Sequence, residues 1–301
     1  MPACPSTNSE PPGNRPCNGN RGNAVLEGQP SGSRKVQPVS VRAIVLTGFG
    51  INCDNETQSA LKRAGAAADR IHLNDIIDDV SRLDAYHIFA VPGGFSFGDD
   101  IASGKILANR LRYKLGDALR KWIDDGKLMI AICNGFQVLV KMGILPLFDG
   151  EFARVTTLTH NDSGRFENRW IHLKTDPATR CVWLKGVEGL PLPVRHGEGK
   201  FVPQNDEVLR RLQAGGQVVL RYVKPDGSPA AGAFPWNPNG AIDDIAGICD
   251  PEGRILGLMP HPEAFVDRTN HPAWTRAGLP DEGAGLQIFR NAVEFARTNL
   301  V

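Results

Sequence analysis

The sequence predicts an α/β protein with a mostly parallel central sheet, helices on both faces and additional β-rich segments, on three observations. Apolar runs of strand length alternate with helical patterns from Val41 onward, the runs end in glycine-containing turns, and a composition of 41% hydrophobic and 22% charged residues suits an ordinary globular core. A strand followed by a helix and another strand pairs in parallel, because the helix carries the chain back to the starting edge.

Residues 1–38 hold seven Pro, five Gly, five Asn and four Ser with no aromatic residue, too little apolar surface to offset chain entropy. They read as a disordered tail, and 39–301 as one domain. The apolar run 41–46 is a strand, Gly48-Phe49-Gly50 its turn, and 54–64 a helix stopped by Gly65. Further strands are expected near 70–73, at 87–91 before Pro92-Gly93-Gly94, and at 128–132. Between the last two, Leu111, Leu115, Ala118, Leu119 and Trp122 fall on one helical face that ends at Gly126. From Ala153 the chain breaks into short extended pieces at 154–158, 169–173, 217–223, 245–249 and 254–259, with a short helix near 207–212. A last helix carries Leu286, Phe289, Val293 and Ala296 on one side.

Several function classes are excluded at this level. Thirty-four basic residues against 33 acidic ones leave a charge of +1, which draws in neither nucleic acid nor an anionic membrane. Six cysteines without Cys-x-x-Cys spacing argue for free thiols in a reducing compartment and against a metal site. The longest apolar stretch, 128–148, is interrupted by Asn134, Gln137, Lys141 and Pro146, so it is core rather than a membrane span. No secretory or organellar address is readable, and the cytoplasm is the expected location.

The strongest chemical signal is Ala131-Ile-Cys133-Asn-Gly135-Phe-Gln137, in which a buried strand delivers a cysteine into a tight turn that opens a helix. Small residues two positions either side permit such a nucleophile elbow, and a helix N-terminus favours the thiolate. Two His-x-Glu pairs, His196-Gly-Glu198 and His261-Pro-Glu263, are candidate proton shuttles, each with its own orienting carboxylate. The strand leading to His261 and the flanking Pro260 and Pro262 favour the second pair; His196, followed by glycines at 197 and 199, reads equally well as a surface or interface loop. Gly93 and Gly94 let backbone N–H groups approach a ligand and, with Asn134, complete an oxyanion hole. A P-loop reading of Gly98 to Ile106 fails on spacing, and a dinucleotide fingerprint at Gly48 to Cys53 has cysteine where the third glycine belongs.

These motifs, together with Gly48-Phe-Gly-Ile-Asn-Cys-Asp-Asn-Glu56, Pro92-Gly-Gly-Phe-Ser-Phe-Gly-Asp99, Arg165-Phe-Glu-Asn-Arg169 and His196-Gly-Glu-Gly-Lys-Phe201, resemble the glutaminase subunits of phosphoribosylformylglycinamidine synthase, class I glutamine amidotransferases of flavodoxin-like fold. The resemblance spans 41–299. It implies Cys133 as nucleophile, His261 as general base and acid, Glu263 as its orienting carboxylate, Gly94 and Asn134 holding the oxyanion, and Gln137 as a glutamine-holding residue, with Gly93 also at the substrate. It further implies no cofactor on this chain, with ATP and Mg on a partner synthetase subunit that uses formylglycinamide ribonucleotide, and a small accessory subunit. Ala131, Phe97, Asp100 and Ala264 depart from the family's usual residues without touching the triad. The alternatives are an amidotransferase or Cys-His-Glu hydrolase for another acceptor, and a non-catalytic glutamine-sensing scaffold.

Overall fold

A computed structural model describes residues 40–301; the tail expected over 1–38 lies outside the described residues. The first half of the domain runs β1 (Arg42–Thr47), α1 (Asp54–Arg63), β2 (Ala67–His72), α2 (Leu73–Asp78), β3 (Ile88–Val91), α3 (Lys105–Asp124), β4 (Leu128–Ile132) and α4 (Asn134–Met142). The second half runs β5 (Thr156–Thr159), β6 (Glu167–Thr175), β7 (Gly189–His196), β8 (Lys200–Pro203), α5 (Asp206–Ala214), β9 (Val218–Val223), β10 (Ile245–Cys249), β11 (Ile255–Leu258) and α6 (Leu286–Asn299).

Among the described residues, nine strands form one sheet in the order β2-β1-β3-β4-β11-β10-β9-β6-β7. The run from β2 to β11 is parallel and the run from β11 to β7 antiparallel. The β-rich segments expected after residue 153 therefore extend the central sheet, apart from β5 and β8, which pair with each other. The chain moves from β1 outward to β2, then reverses through β3 to β4. With right-handed crossovers that reversal places α1 and α3 on opposite faces and opens a crevice between the carboxyl ends of β1 and β3.

β3 and β4 are buried at every residue, which explains their uninterrupted apolar runs. α3 turns Leu111, Leu115, Leu119 and Trp122 of the expected stripe inward, together with Leu107, and leaves Ala118 half-buried. Three elements differ from the sequence reading. β2 starts at Ala67 rather than near residue 70, its apolar signal diluted because Asp69 and Arg70 are exposed on a sheet edge. β7 and β8 were not foreseen. Pro191 and Pro193 argue against a strand in sequence, yet β7 is the other edge of the sheet, where a missing backbone donor is tolerated.

Candidate active site

Cys133 sits at the junction of β4 and α4 with φ +52° and ψ −106°, a strained conformation for a residue with a side chain. Its N–H donates to the Leu258 carbonyl on β11 at 2.8 Å. A Cβ on Gly135 would collide with the Val91 carbonyl oxygen at the end of β3, so only glycine lets α4 start this close to the neighbouring strand. The elbow is thus held from both sides, as its spacing predicts. The Asn134 N–H, at the first turn of α4, has no acceptor within the helix.

β11 delivers His261 to the same edge. The His261 N–H donates to the Pro193 carbonyl at 2.9 Å, and its Nδ1 lies 2.6 Å from Glu263 Oε1. Glu263 occupies a single turn of 3₁₀ helix over Pro262–Ala264, so the pair meets across a bent backbone rather than along an extended one. A carboxylate accepts only, which assigns Nδ1–H as donor and turns Nε2 away from Glu263. Both side chains are buried, and His261 Nε2 and Glu263 Oε2 find no hydrogen-bond partner among the described residues. Burial pushes the imidazole toward neutrality, but the Glu263 charge and then Cys133 outweigh it, holding the His261 pKa well above the ordinary histidine value. The site therefore stabilises an imidazolium beside the thiol.

Gly93 lies against all of this. A Cβ there would stand 2.9 Å from His261 Cε1 and 3.5 Å from Cys133 Cβ. A Cβ on Gly94 would press on the Gly50 carbonyl at 2.5 Å. The two glycines bring the backbone after β3 into contact with the triad and with the turn after β1. The Asn134 side chain braces that loop, accepting from Ser96 N at 3.2 Å and donating to Asp99 Oδ1 at 3.2 Å and to Gln137 Oε1 at 3.0 Å. Gln137 in turn donates to the Glu198 carbonyl at 2.6 Å, so its amide ties α4 to the loop after β7.

The two His-x-Glu pairs part company here. His196 is buried at the end of β7, not in a surface loop; its Nδ1 pairs with Asn161 Oδ1 at 3.2 Å and its Nε2 faces the Asn239 amide at 3.5 Å. Glu198 points the other way and accepts from Ser103 N at 3.4 Å. No carboxylate of its own supports His196, and burial followed by the charge of His261 pushes its pKa down to about 3. It is a neutral core histidine.

Three groups at this edge escaped the sequence reading. Cys53, after β1, donates its N–H to the Gly93 carbonyl at 3.2 Å, and its Sγ, a His261 ring nitrogen and a Glu263 oxygen all lie within 4.8 Å of one another. Arg195 accepts the Cys133 thiol on its carbonyl at 3.6 Å and brings its guanidinium to 3.9 Å from Glu263 Oε1. Asn161 holds both His196 and the Gly199 N–H. A signal existed only for Cys53, whose strand-turn-helix unit ends at the same sheet edge as Cys133.

Residues 40–296 match the model of a family described as the CobB/CobQ-like glutamine amidotransferase domain. A Dehalococcoides mccartyi protein named phosphoribosylformylglycinamidine synthase subunit PurQ is 46% identical over 259 residues, 85% of this chain and 98% of that one. A Methanococcus maripaludis protein of the same name is 41% identical over 265 residues, 84% of this chain and 97% of its own. Among solved structures, a chain of PurLQS from Thermotoga maritima superposes with TM-score 0.63 at 30% identity, covering 85% of this chain and 99% of that chain.

Proposed function

The chain belongs to the CobB/CobQ-like glutamine amidotransferases and, within them, to the glutaminase subunits of phosphoribosylformylglycinamidine synthase, and from that premise we propose that Cys133, His261 and Glu263 hydrolyse glutamine for a synthetase partner. The observation that carries the residue roles is the buried 2.6 Å His261–Glu263 pair set beside a cysteine on a strained elbow. Cys133 transfers its proton to His261 Nε2 and attacks the side-chain amide carbon of glutamine. The negative charge on the amide oxygen is met by the N–H groups of Gly94 and Asn134. His261 returns the proton to the departing nitrogen, ammonia leaves, and a γ-glutamyl thioester remains on Cys133. Water, deprotonated by His261, then hydrolyses the thioester to glutamate.

Gln137 acts in this reading by fixing the loop that carries Glu198 as much as by holding substrate, because both ends of its amide are engaged. The ammonia passes to the synthetase subunit, which spends ATP with Mg on formylglycinamide ribonucleotide to give formylglycinamidine ribonucleotide in purine biosynthesis. A small accessory subunit completes the assembly. The reaction as read here calls for no cofactor on this chain. No helix among the described residues is long and apolar enough to cross a membrane, and the free thiols of Cys53, Cys133, Cys181 and Cys249 support a reducing, cytoplasmic setting.

The test is trapping of a radiolabelled glutamyl adduct on wild type and Cys133→Ala, with and without the synthetase subunit. Adduct on wild type alone, stimulated by that partner, is expected. Absence of adduct under every condition would point to a scaffold, and indifference to the partner to another acceptor enzyme.

A further inference from the structure

The triad accounts for one thiol at this edge, yet there are two. Cys53 approaches from the turn after β1, Cys133 from β4 and His261 from β11, and they meet at the bare face of Gly93. A Cβ placed there would lie 3.4 Å from Cys53 Sγ, 3.5 Å from Cys133 Cβ and 2.9 Å from His261 Cε1. Cys53 Sγ, a His261 ring nitrogen and a Glu263 oxygen fall within 4.8 Å of one another, and all three residues are buried. His261 Nε2 is a buried nitrogen with no hydrogen-bond partner among the described residues.

Two thiols and an imidazole are the donor set of a borderline-soft divalent cation. Tetrahedral zinc takes sulfur at about 2.3 Å and nitrogen at about 2.0 Å, so its ligand atoms stand roughly 3.5 Å apart. Cys53 Sγ lies within 4.8 Å of a His261 ring nitrogen, so that pair closes to this spacing with a shift of about 1.3 Å or less, and the Cys133 thiol joins it by turning from the Arg195 carbonyl. The Glu263–Nδ1 hydrogen bond is the outer carboxylate that typically supports a metal-bound histidine, fixing the tautomer that leaves Nε2 as ligand.

We propose that Cys53, Cys133 and His261 form an inhibitory site for a thiophilic divalent cation of the zinc type, which occupies the nucleophile and the base together and so switches the glutaminase off reversibly. Each thiol gives its proton to solvent as it binds, His261 contributes its neutral Nε2 lone pair, and one position stays open to water. No cysteine spacing in the chain announces the site, because its ligands come from the ends of three different strands. Inhibition rests on the roles given above to Cys133 and His261; binding does not.

The experiment titrates the full chain with Co²⁺, reading thiolate-to-cobalt charge-transfer absorption, and then displaces the ion with Zn²⁺ against a chromophoric chelator. Glutamyl-adduct formation with the synthetase subunit present is followed in parallel. Wild type should bind one ion with the sulfur signature and lose adduct formation until chelator is added. Cys53→Ser should weaken zinc inhibition by at least about 100-fold, read as the zinc dependence relative to the variant's own metal-free adduct formation, a ligand counting for more than an outer-shell partner. His261→Ala should lose the cobalt signature, and Cys53→Ala serves if the serine variant misfolds. Equal affinity in wild type and both Cys53 variants, or a cobalt signature that survives His261→Ala, would overturn the proposal. A chain that binds cobalt through these residues yet forms no adduct without metal would instead defeat the glutaminase reading and leave the metal site standing.

Discussion

Gly93 has no side chain, and the space this leaves is where Cys53, Cys133 and His261 converge. Its backbone is not in the left-handed region, so alanine is conformationally allowed and the cost is contact alone. The added methyl would sit 2.9 Å from His261 Cε1 and turn the ring away from the thiol. Gly93→Ala is expected to lower kcat/KM by about 100-fold, the effect of roughly 1 Å of misplacement, while costing only about 1–3 kcal/mol of stability. Steady-state kinetics beside urea unfolding check this, and unchanged kcat/KM would place His261 elsewhere during turnover. Gly135 differs, because its Cβ would strike the Val91 backbone carbonyl, which has no rotamer to escape into.

At the scale of elements, the elbow depends on how α4 lies across the sheet. Phe136, on its first turn, is fully buried, packs its ring over Gly257 of β11 and stacks on Phe201 of β8 with centroids 6.2 Å apart. A Cβ at Gly257 would collide with the Phe136 ring and approach Leu145 Cδ1 to 2.6 Å. Gly257→Ala should therefore cost about 1–3 kcal/mol by overpacking. The two positions share one volume, so Phe136→Leu should relieve part of that cost, making the double variant more stable than the sum of the single ones. Urea midpoints of the four proteins test it; strict additivity would mean that α4 does not bear on β11 at this point.

Across the whole molecule, two buried histidines give stability opposite pH dependences. His196 has its pKa pushed from 6.5 to about 3, so in that window the unfolded chain holds a proton that the folded chain refuses. Its contribution is complete above the unfolded value and is lost as pH falls. His261, raised well above 6.5 despite its burial, contributes below the unfolded value and loses that contribution as pH rises through the folded one. Stability should peak near neutrality. The urea midpoint should fall between about pH 7 and about pH 5, and less steeply in His196→Asn, which removes the acid-side proton. An equal slope in that variant would mean that His196 is protonated in the folded state.

Alternating apolar and helical segments were sufficient in the sequence for the parallel half of the sheet, and the local spacing around Cys133 for its elbow. Both are properties of contiguous residues: burial on two faces makes β3 and β4 uniformly apolar, and the helix start after Cys133 needs a small residue at 135. His261 and Glu263 were legible for the same reason, two residues apart on one turn. Strand order was not, nor was β7, whose prolines are acceptable only because it lies at an edge. The strand leading to His261 already favoured it over His196 in sequence; the surroundings of the two rings were tertiary. His261 met Glu263 and the bare face of Gly93, and His196 met Asn161 and Asn239, residues far off in the chain. Cys53 joined the site because parallel pairing of β1, β3, β4 and β11 brings every strand's carboxyl end to one edge, and only the folded sheet determines which of those ends touch.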